Sequence, residues 1–150
     1  MIDRFERFSL AISEISRHWH KLAAEELTKY GLKGPHATYL TAMYKYPKGI
    51  TVPELCEVCG KDKSDASRML AILEEKGLVT KKVVGGSLYR GKLQLTDEGK
   101  LAAEHVSQRA SQAVEVAGKD LTDAERATFY KALDSITANL RELSKEGIPE

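Results

Sequence analysis

The sequence predicts a mainly α-helical chain carrying one small β wing, and three observations predict it. Long amphipathic patterns occupy both ends of the chain, and two short helical patterns joined by a glycine turn lie between them. Immediately after the second short pattern the hydrophobic period falls from about 3.6 residues to 2. Short helix, turn, short helix and hairpin, in that order, make a winged helix-turn-helix, here flanked by long N- and C-terminal helices.

Residues 2 to 30 read as one helix, with Phe5, Phe8, Ile12, Ile15, Trp19, Leu22 and Leu27 recurring at three- and four-residue steps. Gly31 closes it. Gly34-Pro35 opens a second helix reaching about Tyr46, because proline is tolerated in a first turn, and Pro47 prevents continuation.

The central stretch starts at Thr51, which forms a capping box with Glu54, while Pro53 fits only because it lies in the first turn. Leu55, Cys56, Val58 and Cys59 are assigned to the inward face, and Gly60 supplies the turn. A second short helix starts at Asp62 or Ser64, buries Ala66, Met69, Leu70 and Leu73, and ends at Gly77. Lys63, Ser64, Asp65, Ser67 and Arg68 are left facing outward, a short polar surface of the width that a DNA major groove admits. From Leu78 two alternating runs flank the turn chemistry of Gly85-Gly86-Ser87. Arg90 and Lys92 are expected on or just past the tip of that hairpin, within reach of a phosphate or a minor groove.

Thr96 caps the next helix, with Asp97 and Glu98 at its positive end, and Thr122 with Glu125 forms another capping box. Phe129, Leu133, Ile136, Leu140 and Leu143 stripe the last helix up to Gly147. The expected organisation is a single domain over 1–150, with a winged DNA-binding lobe at 32–96 and dimerisation helices at 1–31 and 97–147. The terminal helices carry more apolar surface than a small lobe can cover, which calls for a second copy about a two-fold axis.

At 150 residues, 42% hydrophobic and 30% charged, the composition is that of an ordinary globular protein. No apolar run approaches the roughly 20 residues of a membrane span. The charged N-terminus does not resemble a signal peptide, so a cytoplasmic location is expected. Net charge is only +1, but residues 60 to 96 hold 8 basic against 4 acidic side chains, and residues 97 to 150 hold 7 against 11. The positive excess thus lies on the second short helix and the wing, where an electrostatic footprint for DNA belongs. No catalytic constellation, cofactor motif or metal site is read from the chain. Cys56 and Cys59 have the spacing of redox and metal sites, yet both fall on a helix stripe and no second cysteine pair completes four zinc ligands.

Thr51, Glu54, Leu55, Gly60, Asp62-Lys63-Ser64, Ser67-Arg68, the run Leu73 to Val79 and Leu95-Thr96-Asp97-Glu98-Gly99 together resemble the MarR family of bacterial transcriptional regulators. The resemblance covers nearly the whole chain. It departs at the wing tip, where Leu88-Tyr89-Arg90 keeps the arginine of the usual Asp-x-Arg and loses the aspartate, and after Gly60, where Lys61 replaces an apolar residue. The resemblance implies a homodimeric repressor on a pseudo-palindromic double-stranded operator, touched through Lys61, Lys63, Ser64, Asp65, Ser67, Arg68, Arg90 and Lys92. It also implies modulation by a small aromatic or anionic effector, for which His18, Trp19, His36 and Tyr39 are the candidate pocket. A thiol-oxidation response through Cys56 or Cys59, or a winged-helix module that binds protein, are the alternatives.

Overall fold

The computed structural model describes residues 2–84 and 87–150, with the side chains at 2 and 83–90 outside the description. Its elements are α1 (Ile2–Thr28), α2 (Gly34–Tyr44), α3 (Val52–Cys59), α4 (Lys63–Glu75), β1 (Val79–Val84), β2 (Ser87–Leu95), α5 (Asp97–Ala117) and α6 (Asp123–Glu146). The chain divides within α5 into two compact units, Met1–Ala110 and Ser111–Glu150, whereas a single domain over 1–150, with its winged lobe ending at residue 96, was expected.

The first unit holds the core. Tyr39, Leu40 and Met43 of α2, Leu55 of α3, and Ala66, Leu70 and Leu73 of α4 are buried together with Ile50, Val79, Leu93 and Leu95. The local chemistry is the expected one. Thr51 Oγ1 accepts from the Glu54 amide at 3.4 Å, and a Glu54 carboxylate oxygen accepts from the Thr51 amide at 3.1 Å. Gly60 turns the chain with φ 64° and ψ 35°, a left-handed conformation that glycine adopts without steric penalty. Val58, assigned to the inward face of α3, is exposed, because a helix of eight residues has room for only a narrow buried stripe.

β1 and β2 pair antiparallel, with Val79 opposite Leu95, Lys81 opposite Leu93 and Lys82 opposite Lys92. Ile50 adds a bridge to Leu93, its amide donating to the Leu93 carbonyl at 3.0 Å and its carbonyl accepting from the Leu93 amide at 2.8 Å. The root of the wing is thereby locked to the loop ahead of α3. Thr96 joins wing to α5: its hydroxyl donates to the Gly77 carbonyl at 2.6 Å and accepts from the Gly99 amide at 3.0 Å.

Most of α1 does not reach this core; Leu27 is buried, while Phe5 and Ile15 are 71% and 63% exposed. The C-terminal end of α1 is held to α5 by charge. Glu26 accepts from Lys29 at 2.8 Å and Arg109 at 3.0 Å, with His105 at 3.3 Å. The Lys29 and Arg109 bonds hold its carboxyl down at about 2, against an ordinary 4.5.

The second unit is built on α6. Thr122 and Glu125 form its capping box at 3.1 and 3.0 Å, and Arg126 donates to the Gly118 carbonyl at 2.8 Å and pairs with Glu115 at 3.0 Å. No residue of α6 is buried. Among the described residues no helix is long and apolar enough to cross a membrane.

Candidate nucleic-acid interface

The site is built on α4. Asp62 caps the helix, its carboxylate accepting from the Asp65 amide at 2.7 Å, which leaves Lys63 as the first helical residue. Ala66, Leu70 and Leu73 pull one face into the core. At about 100° per residue this turns Ser64, Ser67 and Arg68 away from the core, and Lys63, at the first helical position, begins the same arc of roughly 140° at the edge of the buried face. All four are exposed, as is Lys61 in the preceding turn. The arc lies at the positive end of the helix dipole, so exposed cations, hydroxyls and the dipole all favour an anionic partner.

Arg68 is tethered lightly. Its Nη2 lies 3.5 Å from Asp65 Oδ1, and its side chain is 71% exposed. An exposed pair at that distance is worth about 0–1 kcal/mol, so a better partner can draw the guanidinium away.

Asp65, expected among the DNA contacts, already has partners within the chain. Its Oδ2 accepts from the Tyr39 hydroxyl at 2.5 Å and its Oδ1 faces Arg68, so both oxygens are engaged within the chain. The carboxylate flanks the outward arc and turns toward α2. No sequence signal announces this bond, which spans 26 positions.

On the wing, Lys92 stands mid-strand, directly opposite Lys82 and back from the tip. Two like charges facing across a ladder repel, and an anion between them would relieve that repulsion. Lys81 by contrast pairs with Glu74 at 3.2 Å. The Arg90 side chain and the turn at 85–86 lie outside the described residues.

The four candidate pocket residues are spread over two environments. His18 and Trp19 are exposed on α1, His18 lying 3.6 Å from Glu14. His36 is buried, and its Nδ1 accepts from the Lys33 amide at 2.8 Å, capping α2. Tyr39 is fully buried with its hydroxyl committed to Asp65; burial and that carboxylate push its pKa well above the phenol range, so it remains a donor. A surface groove that the sequence reading missed lies elsewhere, between Met43, Tyr44, Pro47, Leu95, Lys100 and Glu104, where the Tyr44 hydroxyl donates to Glu104 at 2.9 Å.

Cys56 and Cys59 are half-buried free thiols against the core. Burial, followed by the neighbouring Cys56, pushes the Cys59 thiol up, which suppresses the reactive thiolate. Among the described residues no three potential ligands stand together as a metal site.

Residues 30–86 match the family model of the MarR family. No curated protein matches the chain. Among solved structures, a MarR family transcription regulator superposes with a TM-score of 0.85 at 16% identity, over 97% of this chain and 95% of that one. A MarR transcriptional regulator from Methanosarcina mazei Go1 gives 0.78 at 21%, over 92% and 99%. MepR of S. aureus, in its complex with DNA, gives 0.78 at 18%, over 88% and 97%. At such identities the likeness of these structures speaks for the fold.

Proposed function

We propose that this chain, a member of the MarR family, is a DNA-binding transcriptional regulator that acts as a homodimeric repressor on a pseudo-palindromic duplex. The observation that carries the reading is the exposed Lys63-Ser64-Ser67-Arg68 arc, fixed in orientation by the buried Ala66, Leu70 and Leu73 behind it. It supports α4 as the helix that enters a major groove, with Lys61 and the wing lysines on flanking phosphates. In this reading Arg68 pairs with guanine O6 and N7, and Lys63 neutralises backbone charge. The protein works in the cytoplasm without catalysing a reaction, and a small aromatic or anionic effector changes the separation of the two α4 helices.

Selection from a random duplex pool, followed by gel shifts over a salt series, tests this. Arg68→Ala is expected to cost about 1–3 kcal/mol on the selected duplex and to relax base preference. Lys63→Ala should weaken selected and scrambled duplexes alike and lower the salt slope by about one. If no duplex is retained even at low salt, the reading fails and the winged lobe is a protein-binding module.

A further inference from the structure

We propose that Tyr39, buried in α2 behind the exposed arc, is a positioning residue that sets base selectivity by holding Asp65 and, through it, Arg68. The inference deepens the reading above and rests on Arg68 as the base contact.

Asp65 presents a puzzle: a carboxylate in the first turn of a helix meant for phosphates opposes binding unless it has another task. The first conventional task, capping, belongs to Asp62, whose carboxylate takes the Asp65 amide at 2.7 Å. The geometry supplies a different one. The Tyr39 ring is 0% exposed, so its hydroxyl is a fixed point, and it donates to Asp65 Oδ2 at 2.5 Å. Only Oδ1 is left for Arg68, which it meets at 3.5 Å.

A carboxylate whose orientation is fixed by a buried hydroxyl is not free to turn both oxygens onto the guanidinium, as the two parallel bonds of a strong Arg–carboxylate pair require, and it meets Arg68 through Oδ1 alone. It orients the guanidinium and leaves the remaining N–H groups for a base edge. Released from Tyr39, Asp65 could engage Arg68 through both oxygens and compete with guanine for the same fork. Tyr39 therefore keeps Asp65 an aligning partner and prevents it from sequestering Arg68.

The test compares wild type with Tyr39→Phe, Asp65→Asn, Arg68→Ala and Tyr39→Phe/Arg68→Ala on the duplex that wild type selects and on a scrambled duplex. The readouts are the affinity ratio of the two duplexes, the salt slope and the thermal midpoint. Tyr39→Phe is expected to lower the ratio about fivefold or more while leaving scrambled-duplex affinity and salt slope unchanged. Asp65→Asn should lower the ratio and raise scrambled-duplex affinity, since one negative charge leaves the interface; it reads the same link from the other end if Tyr39→Phe melts near assay temperature. In the Arg68→Ala background, adding Tyr39→Phe should change the ratio by less than about twofold. An unchanged ratio in both Tyr39→Phe and Asp65→Asn overturns the proposal. So does an equal loss with and without Arg68, which would mark Tyr39 as packing alone. If wild type itself prefers no duplex, the DNA reading falls and this inference with it.

Discussion

His36 shows how one ring nitrogen ties stability to pH. Its Nδ1 must stay unprotonated to accept the Lys33 amide, and burial followed by the charges of Lys76 and Lys33 lowers its pKa from an ordinary 6.5. The unfolded chain therefore binds this proton more readily than the folded one. The stabilisation from a neutral His36 is fully present above about 6.5 and is lost as pH falls from there through the lowered folded value. His36→Gln keeps an acceptor at the same helix position and removes the titration. Chemical denaturation of both proteins should show similar stability at pH 8, within about 1 kcal/mol, and a flatter decline for the variant between pH 6.5 and 5. A parallel decline would place the titration elsewhere. The outward residues of α4 were legible in the sequence because helical spacing separates them from Ala66, Leu70 and Leu73. The partners of His36, Tyr39 and Asp65 were not, since periodicity says which face a side chain takes and nothing about the distant atom it meets. Hence two of the residues expected to line an effector pocket, His36 and Tyr39, prove to hold partners within the chain that periodicity does not reveal.

Among the elements, those with strong local punctuation were read closely. Thr51-Glu54 and Thr122-Glu125 start helices as their capping chemistry requires, and the alternation after Leu78 pairs in the register that buries Val79, Leu93 and Leu95. α2 is the exception: its cap is a histidine side chain, which no propensity scale favours there. The junction of wing and α5 shows a constraint that sequence alone implied only as a motif. Gly99 is buried in the first turn of α5, and a Cβ there would stand 2.0 Å from the Leu78 carbonyl oxygen. That oxygen is itself fixed, accepting from the Thr96 amide at 3.0 Å. Gly99→Ala must push α5 away from β1, so it is expected to destabilise by about 1–3 kcal/mol or more, although alanine is the better helix former. A urea midpoint at or above that of wild type would contradict the close packing.

For the whole molecule the open question is what covers the apolar stripes of α1 and α6. Phe129, Leu133 and Leu140 are 47%, 43% and 47% exposed, on a helix that buries none of its own residues. Surface of that kind marks an interface, and two copies about a two-fold axis would present two α4 helices together, doubling the phosphate contacts of a footprint holding 8 basic against 4 acidic residues. Hydrophobic periodicity alone predicts this demand, whereas the geometry of pairing depends on a surface formed by both copies and is written in no single helix. Leu140→Asp places a charge in the stripe while leaving the helix N-terminus and the α4 arc untouched. It should sediment as a monomer at micromolar concentration, where wild type is expected to sediment as a dimer. Its affinity for the selected duplex should fall at least about tenfold, and the slope of log affinity against log salt should drop to roughly half, because half the phosphates are engaged. A monomeric wild type, or a variant that still dimerises and binds unchanged, would mean that these stripes serve another partner.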